Sequence, residues 1–146
     1  MTSINLAGLD ARSTPYALLL LRLALGAMWI SHALLKILVF TLPGAAGFFE
    51  SVGLPGFLVY PVVTAEIAGG IAVTAGFHGR YVSLLLLPIL LVATWVHFPN
   101  GWVFSATGGG WEYPVFLVVA SVVHFLAGDG AWSVKLPRLH LATSAA

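Results

Sequence analysis

The sequence predicts an all-α fold, a single integral-membrane four-helix bundle with both termini cytoplasmic. Three observations carry this. Of 146 residues, 60% are hydrophobic and only 8% charged, against about 25% charged in an ordinary soluble domain. The apolar residues gather into four runs, at about 16–40, 58–77, 81–98 and 112–128, near the roughly 20 residues that cross a bilayer. The basic residues outside those runs, Arg12, Arg80, Lys135 and Arg138, all fall in segments that alternate crossing would put on one side, and Lys and Arg collect on the cytoplasmic side.

The elements follow in order. Residues 1–14 are polar and read as a flexible tail, and Pro15 opens the first span, at a helix start where its missing N–H does no harm. That span is longer than the 7–15 apolar residues of a signal peptide and contains Arg22, His32 and Lys36, which argues against a cleaved leader. Residues 41–57 (TLPGAAGFFESVGLPGF) form a Gly/Pro-rich connection whose phenylalanines place it on or in the membrane surface. After the second span, His78, Gly79 and Arg80 leave room only for a tight turn, so spans two and three are antiparallel neighbours. Pro88 is a kink site in the third span. Residues 99–111 form an uncharged loop with three consecutive glycines, the fourth span follows, and 137–146 read as a second flexible tail. Tyr60, Trp95, Trp102, Trp111 and Tyr113 then lie near the outer interface, where amphipathic aromatics collect.

Composition removes several function classes. The net charge of +1 with no basic run argues against nucleic-acid binding. With no cysteine there is no disulfide, thiol nucleophile, thiolate-bound iron–sulfur cluster or covalently attached c-type haem.

The informative residues are those a membrane excludes. Arg22, His32 and Lys36 lie in the first span, Glu66 in the second, His97 near the end of the third, and Glu112 and His124 in the fourth. A charge at a helix centre costs about 2.5–3.5 kcal/mol on insertion scales, so these groups must pair or line a wet cavity inside the bundle. At 100° per residue Arg22, Gly26, Trp29 and Lys36 share one stripe, with His32 at its edge. Ala65, Gly69, Ala72 and Gly76 make a small-residue ridge on the second span, with Glu66 beside it. Counting from the outer ends puts His32 and Glu66 level, at about 12 Å depth. The expectation is an outward-facing cavity lined by His32, Lys36, Glu66, His97 and Glu112, rimmed by PNGW and GGGW, with Arg22 and His124 deeper. Either Lys36 or Arg22 can pair with Glu66. Each group also has a plainer role: a structural clamp for that pair, snorkelling for Lys36, a helix-start carboxylate for Glu112, and packing for a lone histidine.

Six segments in this order resemble the DoxX family of small four-helix membrane proteins: RLALG at 22–26, HALLK at 32–36, AEIAGG at 65–70, HFPNGW at 97–102, GGGWEYP at 108–114 and GDG at 128–130. The resemblance spans about residues 15–136 and puts Arg22, Lys36, Glu66, His97 and Glu112 on the family's recurring polar positions. The family's HGxxK pattern has Ala33 here in place of its glycine. The resemblance implies a bacterial or archaeal inner-membrane oxidoreductase, or the membrane subunit of one, with a quinone as its redox partner.

For such a site, Glu66, His32 and Lys36 are the candidate catalytic groups. Arg22, Trp29, Trp95, His97 and Glu112 are the candidate binding groups, with the two tryptophans as walls of a quinone slot. The alternative is a non-catalytic scaffold, or a small-molecule- or lipid-binding subunit, for a soluble or membrane oxidoreductase. A homo-oligomer is compatible with either. A haem or metal on His32 and His97 is not favoured, because no H-x-x-E or similar spacing supports it.

Overall fold

The computed structural model describes residues 6–135, and every regular element among them is helical. The order is α1 (Leu6–Leu34), α2 (Leu42–Ser51), α3 (Val59–Ala75), α4 (Gly79–His97) and α5 (Glu112–Ala127). Three helical stretches, Ala11–Val39, Gly56–Ala75 and Gly79–Asn100, are long and apolar enough to cross a membrane. α5 is apolar but has only 16 residues, about 24 Å at 1.5 Å per residue.

Backbone contact between α1 and α3 organises the bundle. A methyl group on Gly26 would run into the Thr74 hydroxyl and lie 2.9 Å from the Gly70 carbonyl oxygen. One on Gly70 would lie 2.8 Å from Ile30. Only glycine lets two helices approach so closely, and without a hydrophobic drive between helices such close contact is what holds membrane bundles together. Gly69, on the neighbouring face of α3, receives Leu86 of α4. α4 packs along α5, and α5 returns to α1, closing a ring. Ala33, which stands in place of the glycine of the HGxxK pattern, is fully buried and packs with Ala45, Val59 and Val63.

The α3–α4 connection is a tight turn. Gly76 takes the left-handed conformation at φ +71°, and Phe77 N–H returns to the Ala72 carbonyl at 3.0 Å, the usual way a helix end satisfies its last carbonyls. This is the turn end of the bundle; α2 and the 98–111 loop form the loop end.

Four features differ from the sequence reading. α1 begins at Leu6, so residues 6–14 are helical rather than a flexible tail, and Pro15 lies inside the helix rather than at its start. At its other end α1 widens into a π-helical turn, Leu35–Val39, closed by Phe40 N–H to the Leu35 carbonyl at 2.9 Å. The Gly/Pro-rich connection contains the ten-residue helix α2, with Pro43 in its first turn and the Thr41 hydroxyl accepting from Gly44 N–H. Residues 128–134 fold back beneath the turn end, where Ala131 N–H donates to the Pro15 carbonyl and Val134 N–H to the Ala75 carbonyl. Arg138 and the tail at 137–146 lie outside the described residues, as do residues 1–5.

Candidate functional site

The π turn ends α1 with Lys36 turned into the bundle, opposite Glu66 on the buried face of α3. The Lys36 ammonium donates to both carboxylate oxygens of Glu66, at 2.8 and 2.9 Å, and more weakly to the His32 carbonyl at 3.4 Å. Its three protons are thus all engaged. The Glu66 side chain is 3% exposed, so the pair sits where a lone charge would be costly. Arg22 takes no part in it.

The pair borders a cavity of about 380 Å³, within the roughly 300–1,000 Å³ of small-molecule sites. Its walls are mostly apolar, including Leu25, Met28, Trp29, Leu90, Val96 and Leu117; the polar lining groups are His32, Lys36, Glu66, His97 and Tyr113. His32 Nδ1 lies 2.8 Å from the Met28 carbonyl; a carbonyl only accepts, so Nδ1 carries a proton. The His32 ring stacks on Tyr113, with centroids 5.9 Å apart and planes 18° from parallel. The Tyr113 hydroxyl is buried and has no hydrogen-bond partner. A buried hydroxyl without a partner costs about 1–3 kcal/mol.

The loop end covers the cavity. Phe48, Phe49, Val52 and Leu54, from α2 and the residues after it, form part of the lining. His97 Nδ1 faces the carbonyls of Gly108 and Gly109 at 3.0 and 3.2 Å, and Asn100 donates to the same two carbonyls at 3.0 and 2.9 Å. The PNGW and GGGW segments therefore meet, with Trp102 and Trp111 packed edge to face at 4.4 Å.

Of the residues predicted from sequence, His32, Lys36, Glu66, Trp29 and His97 line this one cavity. Three lie elsewhere. Trp95 is 58% exposed, because its position on α4 points away from the bundle. Glu112 accepts from Phe104 N–H at 2.9 Å and fastens the 98–111 loop to the start of α5. Arg22 is 2% exposed at the turn end and donates to the carbonyls of Asp129 at 2.8 Å and Trp132 at 3.5 Å. It belongs to a second polar cluster. There Asp129 accepts from Arg80 N–H at 2.7 Å and lies 3.2 Å from His124 Nε2, although not aligned for a hydrogen bond. Ser83 Oγ meets His124 Nδ1 at 2.8 Å. Ser83 and His124 are fully buried and neither borders the cavity, so this Ser–His–Asp series ties α4, α5 and the 128–134 segment together and has no room for a substrate.

The DoxX family model matches residues 17–99, more than half of the chain. The chain belongs to the DoxX family. With three long apolar helices, this DoxX protein is a multi-pass membrane protein. It is 36% identical over 75 residues to the Bacillus subtilis protein named "Putative oxidoreductase CatD", a match covering 51% of this chain and 54% of that one. The chain thus spans about half the length of that curated relative. No solved structure matches it. The DoxX match takes in α1 to α4 from Ala17 onward, and so His32, Lys36, Glu66 and His97; Tyr113, His124 and Asp129 lie beyond it.

Sequence reasoning missed Tyr113 as a cavity residue and α2 as part of the walls. Tyr113 sits at a span end, where an interfacial aromatic is the ordinary reading. The available signal was its place beside Pro114, one helical turn ahead of the apolar positions of α5 that face inward.

Proposed function

We propose that this DoxX protein is a membrane oxidoreductase, or the membrane subunit of one, acting on a quinone or quinol held in the 380 Å³ cavity. Four crossings put the turn end and both termini in the cytoplasm and the cavity in the outer leaflet of a bacterial or archaeal inner membrane. The observation that carries the reading is the Lys36–Glu66 pair, with its carboxylate buried, bordering an apolar cavity that Tyr113 also lines. A quinone has a flat apolar ring and two carbonyl oxygens. Trp29 and Leu117 suit the ring, and the Tyr113 O–H suits one carbonyl. The His32 ring and the Glu66 carboxylate, both lining the cavity, are the groups that would exchange protons. Electrons pass to or from a partner oxidoreductase.

The test is binding and turnover of decylubiquinol by the purified chain in lipid nanodiscs, alone and with membrane extract supplying a partner. Saturable binding that Glu66→Gln weakens at least tenfold supports the reading. Absence of both binding and turnover removes it. One observation favours a non-catalytic subunit: the Lys36 ammonium has every proton engaged within the protein, as a structural clamp would. That reading predicts full partner activity with Glu66→Gln wherever the variant folds.

A further inference from the structure

The cavity is not closed on all sides, and the chemistry of its opening differs from that of its interior. Its polar groups gather inside, around Lys36, Glu66, His32 and Tyr113. The lining residues that are exposed at the surface are Phe48, Pro88 and Val92, all apolar. Val92 lies eight residues before Asn100, the end of the α4 span, about 12 Å along the helix and so well inside a hydrocarbon core about 30 Å thick. A slot at that depth faces acyl chains, not water. The loop end, by contrast, is covered by α2 and by the carbonyls of Gly108 and Gly109 pinned to His97 and Asn100. A water-soluble substrate would have to pass that cover, whereas one dissolved in the bilayer meets an apolar doorway.

We propose that the ligand enters sideways from the bilayer, through the opening marked by Phe48 of α2 and Pro88 and Val92 of α4, and is a tailed amphiphile: a polar head at Lys36 and Glu66, and an alkyl or isoprenoid tail leaving past Val92 into lipid. This deepens the quinone reading and rests on it for the identity of the head. The size agrees, because about 380 Å³ is near the lower limit for a small-molecule site. It takes a head group and a short length of chain, and the rest of the tail must lie outside.

The test compares two probes in lipid nanodiscs, a benzoquinone carrying a ten-carbon tail and the same head without it. Val92→Trp and, in parallel, Ala93→Phe narrow the slot, so that one poorly folding variant does not end the experiment. Leu85→Trp, on the same lipid-facing stripe two turns away and 77% exposed, is the control. The expected result is that the tailed probe binds wild type at least tenfold more tightly than the tail-less one. Either slot variant should weaken the tailed probe at least tenfold and the tail-less one less than threefold, with Leu85→Trp changing neither. Equal loss of both probes, or no loss of either, overturns the doorway. If neither quinone binds wild type, the quinone reading fails by itself. The doorway is then read from a membrane-dissolved alkyl diazirine: labelling of Trp29 or Leu117 that Val92→Trp abolishes sustains it, and absence of labelling there overturns it.

Discussion

At the scale of single residues, the Lys36–Glu66 pair separates stability from function. Glu66→Gln leaves the part-buried Lys36 ammonium without its counter-charge, and breaking one side of a fully buried pair costs about 3–5 kcal/mol, an upper bound here. Replacing both by apolar residues of similar size, as in Lys36→Met with Glu66→Met, removes the orphan charge. Thermal unfolding in detergent should show a large loss for the single variant and near-wild-type stability for the double. Quinol binding should be lost in both if the pair serves a ligand, and the double variant should bind normally if the pair is only a clamp. Tyr113→Phe gives the opposite pattern. Its hydroxyl has no protein partner, so stability should hold or rise slightly. Binding of the tailed quinone should weaken roughly three- to tenfold, the worth of one neutral hydrogen bond of about 0.5–1.5 kcal/mol. Thermal unfolding in detergent reads the first and isothermal titration in nanodiscs the second. Much of the site was legible at this scale, because ionisable groups stand out in an apolar chain and a turn of helix puts His32 near Lys36. Arg22 was not, since its partners are the carbonyls of Asp129 and Trp132, which no periodicity on α1 can announce.

At the scale of elements, the glycine crossing of α1 and α3 sets where Lys36 and Glu66 meet. Gly26→Val places branched carbons against Thr74 and the Gly70 carbonyl, and both obstacles belong to a helix that must move as a unit. The helices should separate, with several kcal/mol lost, no folded peak on gel filtration in detergent and early proteolysis. Gly47→Ala in α2 is the contrasting case, with nothing within 4 Å of the added carbon. It should be neutral or stabilise by about 0.5–1 kcal/mol, as alanine does over glycine in a helix, visible as an unchanged or raised melting temperature. Of the ridge read on α3, Gly69 receives Leu86 of α4, whereas the crossing with α1 uses Gly70, one position beside that ridge. α2 was not legible in the sequence, because its composition, rich in Gly and Pro, is that of a loop, and it forms on a Thr41 cap and an early proline. The π turn at Leu35–Val39 was also hidden: it is a register change inside an apolar run, and every residue there is compatible with an ordinary helix.

At the scale of the whole molecule, the open question in the topology is α5, which at about 24 Å is shorter than a comfortable crossing. Its ends settle how far it reaches. Glu112 is fastened to Phe104 in the loop that follows α4, and Asp129, just past its other end, accepts from Arg80 N–H in the first turn of α4. α5 therefore runs the full height of α4, and Val134 reaches Ala75 at the end of α3. The expected outcome is that α5 crosses beside α4, with thinning of the bilayer or its flanking residues making up the deficit. That expectation rests on contacts between distant segments, which the short apolar run of α5 does not announce. The absence of cysteine makes the consequence directly measurable. Single cysteines at Ser51 and Ser105 should react with a membrane-impermeant maleimide on intact cells. Those at His78 and Lys135 should react only after the membrane is broken. Labelling of Lys135→Cys together with Ser105→Cys on intact cells would mean that α5 does not cross, and would move the C-terminus to the side of the 98–111 loop.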